Sequence, residues 1–179
     1  MNSYHRKKEP AENRQHIIEA AMALTAEVSL ENLTLDNVAK KANLSKGGLL
    51  HHFPKKDALI QELFDTSLQN FLSLIRKEQE RGVSPAMAYL KASIVDDSGD
   101  QQNGAMKIFV QAIMYSPHYR ERLQRWFKEN VISDIVAASP TELAAILIAD
   151  GIWYSNVLGL YSLTAEQKSQ IEILLTKAI

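Results

Sequence analysis

The sequence contains no cysteine, which removes disulfides, thiol nucleophiles and thiolate metal ligands and agrees with a reducing compartment. No apolar run reaches the length of about 18 residues that a membrane-spanning helix needs. The start, MNSYHRKKEP, lacks the apolar stretch of a secretory signal, so the expected location is the cytoplasm, with no membrane partner. Glycine and proline are scarce, at seven and five in 179 residues, and the alternation of apolar and polar residues that marks strands is missing. A large excess of one charge is also absent, the formal net charge being −1.

What is present is ordinary for a folded domain: 46% hydrophobic and 23% charged residues exclude general disorder. The charge is nevertheless uneven. Residues 1–56 hold nine Lys and Arg against six Asp and Glu, with four of the five histidines, while the remainder is acidic. A polyanion would therefore meet the N-terminal part, unless the charges are scattered by chance. Arg6 to Lys8 read as a solvated, frayed terminus ahead of a minor-groove arm.

The pattern is helical from end to end, giving an all-α chain of nine helices. Ile17, Ala21, Leu24 and Val28 mark one face of a first helix starting near Pro10. Thr34 caps a short second helix, Ser45 caps a third, and Pro54 ends the third at Phe53. A long helix then runs from Lys55 to Arg81, stopped by Gly82. Ser84-Pro85, Ser116-Pro117 and Ser139-Pro140 each pair an N-cap residue with proline at the first helical position. DDSGDQQNG separates two helices between the first two of these pairs, and Thr164 with Gln167 forms a capping box for the last.

Residues 141–161 are apolar on almost every side, which fits a helix buried on two faces. One face serves the core. The other is expected to meet a second subunit, with Leu143, Leu147, Gly151 and Leu158 joined by Ile171, Leu174 and Leu175 of the last helix, and with Gly151 and Gly159 permitting close approach. A central helix of a monomeric bundle is the alternative.

Gly47 and Gly48 sit inside the third short helix, in SKGGLLHHFP, where each costs roughly 1 kcal/mol relative to alanine. Two short helices with a tight turn, the second rich in donors and poor in bulk, fit a helix-turn-helix spanning about 34–53. There glycine lets the backbone approach phosphate, Lys46 reaches a guanine edge or phosphate, and His51, His52 and Lys56 donate to phosphate. The Walker order G-x-x-x-x-G-K-[ST] is not met, and adjacent histidines point about 100° apart on a helix, which argues against a shared metal.

LTLDNVAKKANLSKGGLLHHFPKKDALI, residues 33–60, resembles the DNA-binding region of TetR-family transcriptional regulators, matching it at Thr34, Val38, Ala39, Ala42, Ser45, Lys46, Gly47, His51, His52, Phe53, Lys56 and Leu59. Gly48 stands where the family commonly has Thr or Ser, and Leu50 where it commonly has Tyr; Leu50 is then free to touch a thymine methyl. The resemblance implies a helix-turn-helix domain at 1–55 and a ligand-sensing, dimerising domain at 56–179. It also implies a homodimeric repressor that leaves a palindromic double-stranded operator when a small effector binds. No cofactor and no metal are implied.

The C-terminal part holds most aromatic residues, and each reads first as core. Tyr89, Phe109, Tyr115, Trp126, Phe127, Trp153 and Tyr154, with Met87, Met106 and Met114, are the candidate lining of a pocket for a flat lipophilic effector. Asp150, inside LIADGIWY, either hydrogen-bonds a Tyr, Trp or backbone donor or, with Trp126 and Trp153, accepts a cationic ligand. Two readings from other classes remain. One is a helical enzyme using His118, Asp134 and Asp150, whose spacing forms no catalytic set; the other is a module binding an acidic protein through HHFPKK.

Overall fold

The computed structural model describes residues 3–94 and 100–177, with side chains described for 10–25, 27–94 and 107–177. Arg6 to Lys8 and Met106 therefore lie outside the described side chains. The described residues form nine α-helices and no strand: α1 (Ser3–Glu27), α2 (Leu35–Lys41), α3 (Lys46–His52), α4 (Lys56–Gln79), α5 (Pro85–Ile94), α6 (Asp100–Tyr115), α7 (Pro117–Asn130), α8 (Pro140–Leu158) and α9 (Ala165–Lys177).

The helix starts follow local chemistry. Thr34 Oγ1 accepts from Asn37 N at 3.2 Å and Ser45 Oγ from Gly48 N at 3.1 Å. Ser139 and Glu142 make a reciprocal capping box ahead of α8, and Thr164 and Gln167 make another ahead of α9. Pro85, Pro117 and Pro140 each open a helix.

Three starts or ends differ from expectation. α1 begins at Ser3 and carries Pro10 inside it. α6 begins at Asp100, so Gly104 of the expected DDSGDQQNG break is helical; packing of α6 on α1 outweighs the glycine's cost of roughly 1 kcal/mol. Gly159 does not belong to a helix face at all. It takes φ of 64°, the left-handed conformation, and ends α8.

By packing, the chain divides into two units. The first comprises residues 1–67 and 99–116. Its core is built by Ile17 and Ala21 of α1, Leu30 and Leu33 of the following turn, Val38 of α2, Leu49 of α3, Leu59, Ile60, Leu63 and Phe64 of α4, and Ile108 and Phe109 of α6, all buried. Leu24 and Val28 are half-buried. The second unit comprises residues 68–98 and 117–179. In it α5 is buried almost throughout and packs along α8, with Phe71, Ile75, Val131, Ile152 and Leu175 completing the core. This is a division by packing, whereas the expected boundary at 55/56 is one by role; the first turns of α4 and the whole of α6 pack with the N-terminal helices.

α8 presents one face to its own unit through Ala145, Ile146, Ala149, Ile152 and Ser155. Along the opposite side Leu147, Gly151, Tyr154 and Leu158 are exposed, recurring at intervals of four, three and four. Leu174 of α9 is exposed as well, while Leu143 of α8 and Ile171 of α9 are half-buried. Leu175 corrects the expected partner face: it is 6% exposed and points into the core of its own unit.

Candidate functional site

α3 is fixed by one side chain and open on the other. Leu49 is 0% exposed and anchors the helix, whereas Lys46, Gly47 and His51 are exposed and Gly48, Leu50 and His52 half-buried. The turn between α2 and α3 passes through Asn43 with φ of 54°, a conformation asparagine tolerates. A methyl group placed on Gly47 would meet nothing within 4 Å, while one on Gly48 would come 3.3 Å from Ser45 Oγ, the capping oxygen. Nothing among the described residues therefore requires glycine at 47.

The other polar residues of the motif are already engaged. Thr34 and Ser45 act as caps. Lys46 Nζ lies 3.0 and 3.1 Å from the two carboxylate oxygens of Asp36. Lys56 Nζ donates to the Glu31 carbonyl at 2.5 Å and sits 5.9 Å from the centre of the Tyr115 ring. The His51 and His52 rings meet edge to face at 5.4 Å. Burial, then the neighbouring His51 and Arg14, pulls His52 below the usual histidine range.

Several residues that hold this motif carried no signal in the sequence, because their partners are distant along the chain. Arg14 grips both oxygens of Glu62 at 2.8 and 2.6 Å and lies 5.1 Å over the Phe53 ring, pinning α1, α4 and the end of α3 together. From α6, Gln111 Oε1 accepts from Leu30 N at 2.7 Å and Tyr115 OH donates to Asp57 at 2.8 Å.

In the second unit, Asp150 has its partner: Tyr89 OH donates to it at 2.7 Å. Ser93 Oγ donates to the Tyr89 carbonyl at 2.7 Å and accepts from Trp153 Nε1 at 2.8 Å. Around this chain Phe71 packs against Trp153 at 5.0 Å, Tyr89 at 5.7 Å and Trp126 at 6.0 Å, and Tyr89 against Phe127 at 5.5 Å. Burial raises the Asp150 carboxyl above the usual carboxylate range, and the Tyr89 hydrogen bond opposes this. Burial and the Asp150 charge push the Tyr89 phenol up.

The expected effector residues are only partly brought together. Trp126, Asp150 and Trp153 belong to this one connected group, and Met87 is buried in the same core. Phe109 lies in the first unit, edge-on to Phe64 at 5.5 Å, and Met114, also there, is 81% exposed. Tyr154 is 60% exposed on the outer side of α8. Phe109 and Met114 are placed apart because helix periodicity carries no information on which unit a helix joins, whereas Tyr154 shares α8 with Asp150 and Trp153 but lies on its exposed side.

A separate groove of about 320 Å³ in the second unit is lined by Glu78, Arg81, Lys91 and Glu172 among others; its charges are paired, Lys91 to Glu172 at 2.7 Å and Arg81 to Glu78 at 2.6 Å. His118 and Asp134 are exposed, and Asp134 accepts from Val136 N at 2.9 Å to close a turn. Among the described residues, no three His, Asp or Glu side chains stand together as a metal site, and no helix is long and apolar enough to cross a membrane.

Residues 17–63 match the family described as bacterial regulatory proteins, tetR family, and residues 84–179 match the tetracyclin repressor-like C-terminal domain. The HTH-type transcriptional regulator BetI 1 of Chromohalobacter salexigens is 24% identical over 175 residues, 88% of this chain and 85% of that protein. Salmonella enterica GusR has a similar fold, with a TM-score of 0.64 at 21% identity over 94% of this chain and 96% of that one. So does the multidrug binding protein EbrR complexed with ethidium, with a TM-score of 0.61 at 19% identity over 94% and 98%.

Proposed function

We infer, because this chain belongs to the TetR family of bacterial regulatory proteins and is a ligand-responsive, DNA-binding transcriptional regulator rather than an enzyme, that it is a homodimeric repressor reading a palindromic operator with α3. The observation that carries this reading is the open face of α3. A buried Leu49 secures the helix, and the exposed side bears a cation, a histidine and a glycine that no contact among the described residues demands. Residues 1–55 then form the DNA-binding part and 56–179 the sensing and dimerising part.

Each α3 enters a major groove, with Lys46 at a guanine edge, Leu50 near a thymine methyl, and Thr34, Ser45, His51, His52 and Lys56 along the backbone. Gly47 and Gly48 allow the phosphate chain to come close. Two-fold symmetry sets the two recognition helices one helical turn of DNA apart, about 34–36 Å, or a multiple of it. The subunits join through the outer faces of α8 and α9, where Leu147, Gly151, Leu158 and Leu174 are exposed together with Tyr154. A row of large apolar side chains left uncovered on a protein this size favours a partner over water.

The effector is a lipophilic cation held at Asp150, Trp126 and Trp153. A carboxylate half-buried among aromatic rings is the arrangement a flat cation needs, through charge and through the ring faces. The fold shared with EbrR, solved with the aromatic cation ethidium, supports the same class. Binding releases DNA by favouring a conformation in which the two α3 helices no longer match the operator. The protein works in the cytoplasm, where operator and effector meet.

The test is selection from a random duplex pool at fixed moderate salt, with the wild-type protein beside a Lys46→Ala, His51→Ala variant. Enrichment of a two-fold related motif by the wild type alone is expected. A motif enriched equally by the variant would remove α3 from the interface.

A further inference from the structure

Lys46 is the first residue of α3, and the residue that holds it, Asp36, is in the first turn of α2. The two carboxylate oxygens lie 3.0 and 3.1 Å from the ammonium, and both side chains are more than half exposed, at 61% for Lys46 and 56% for Asp36. The pair thus spans both helices of the motif on an open surface. It is too exposed to matter much for stability, an ion pair of this kind contributing at most about fivefold to an equilibrium. Its effect is on the charge that the recognition helix offers.

We propose that Asp36 is a specificity-determining residue: it withholds Lys46 from DNA phosphates and yields it to a base edge. This rests on the operator reading given above. A single new phosphate contact strengthens binding about eightfold at 0.1 M salt. Breaking the Asp36 pair removes up to about fivefold of that, and the freed carboxylate then faces a phosphate of its own sign, so on arbitrary DNA the exchange yields almost nothing. A good two-point contact to guanine O6 and N7 discriminates by up to more than about a hundredfold, and at that strength it survives the same deduction. Asp36 therefore acts as a threshold that base contacts pass and phosphate contacts do not.

The experiment is fluorescence anisotropy with the full-length chain across a salt series, on the wild-type-selected duplex and on a random duplex, for wild type, Asp36→Asn, Asp36→Glu, Lys46→Ala and the Asp36→Asn, Lys46→Ala double variant. Asp36→Asn is expected to bind random DNA about eightfold tighter per subunit at 0.1 M salt, with a log–log salt slope steeper by about 0.9. Its gain on the selected duplex is smaller and its slope there unchanged, so discrimination falls. Asp36→Glu keeps the charge and retains most of the discrimination, and the double variant shows no gain over Lys46→Ala.

Equal shifts on both duplexes, no shift at all, or a gain that persists without Lys46 would overturn the role of Asp36 while leaving operator binding intact. If Asp36→Asn does not fold, the Asp36→Glu slopes decide the matter: a random-DNA slope as steep as that expected of the neutral variant would be contrary. A wild-type protein that selects no motif takes down the operator reading and this proposal together.

Discussion

Gly47 separates two demands that most residues combine. Its added methyl would point into open space, so Gly47→Ala is expected to stabilise the fold by up to roughly 1 kcal/mol, about 2–4 °C in melting temperature for a chain of this length, while weakening operator binding. Calorimetry and anisotropy on one preparation check both signs. Asp150 separates stability from ligand binding in the same way. Its carboxyl is raised by burial, so the folded state prefers it protonated; that contribution is complete below the ordinary carboxylate value and is lost as pH rises through the raised one. Asp150→Asn keeps an acceptor for Tyr89 and removes the charge, so its melting temperature at neutral pH should equal or exceed that of the wild type. Ethidium binding, followed by fluorescence, should be lost in the variant, and unchanged binding would exclude the carboxylate as the cation's partner. In the sequence, Asp150 stood out because a carboxylate in an apolar helix needs a donor, but which donor was hidden: Tyr89 is on α5, and only the packing of α5 along α8 brings it near.

Elements were the most legible level, because a helix start is written within four residues. Thr34, Ser45, Ser139 and the Thr164–Gln167 pair cap where their hydroxyls predict, and the three Ser-Pro pairs open helices. Associations between elements were not legible. Arg14 reaches Glu62 and Tyr115 reaches Asp57 across dozens of residues, and α6 joins the N-terminal helices although α5, between it and α4, belongs to the other unit. At this scale Leu49 is the test of α3. Being fully buried, Leu49→Ala should cost about 2–5 kcal/mol and free the recognition helix, giving an early local transition in hydrogen exchange along α3 and loss of operator binding. His52, at the end of α3, adds a pH dependence. His52 is held below the usual histidine range by burial first and by His51 and Arg14 next, so the folded state favours its neutral form and loses that contribution as pH falls through the depressed value. Over the same fall the recognition helix gains charge, and operator affinity should rise with a steeper salt dependence; in His52→Gln the rise should shrink.

For the whole molecule the decisive feature is the outer side of α8, where Leu147, Gly151, Tyr154 and Leu158 follow helical spacing and remain uncovered in a single chain. The apolar character of this helix on both sides was plain in the sequence, but its inward and outward residues were not all assignable: Leu175 turned out to serve the core of its own unit, and Gly159 to end the helix. Leu147→Glu, which changes an exposed residue and leaves the core untouched, should give a folded monomer in sedimentation velocity and lower operator affinity by orders of magnitude, since a half-site engaged alone loses the linkage between two recognition helices. The central claim, that two copies of α3 read one operator, is met most directly by hydroxyl-radical footprinting of the wild-type protein on its selected duplex. Two protected patches on one face of the DNA, centred about 34–36 Å apart or a multiple of that and both absent with Lys46→Ala, His51→Ala, are the predicted result. A single patch, or two patches that persist unchanged in that variant, would contradict it.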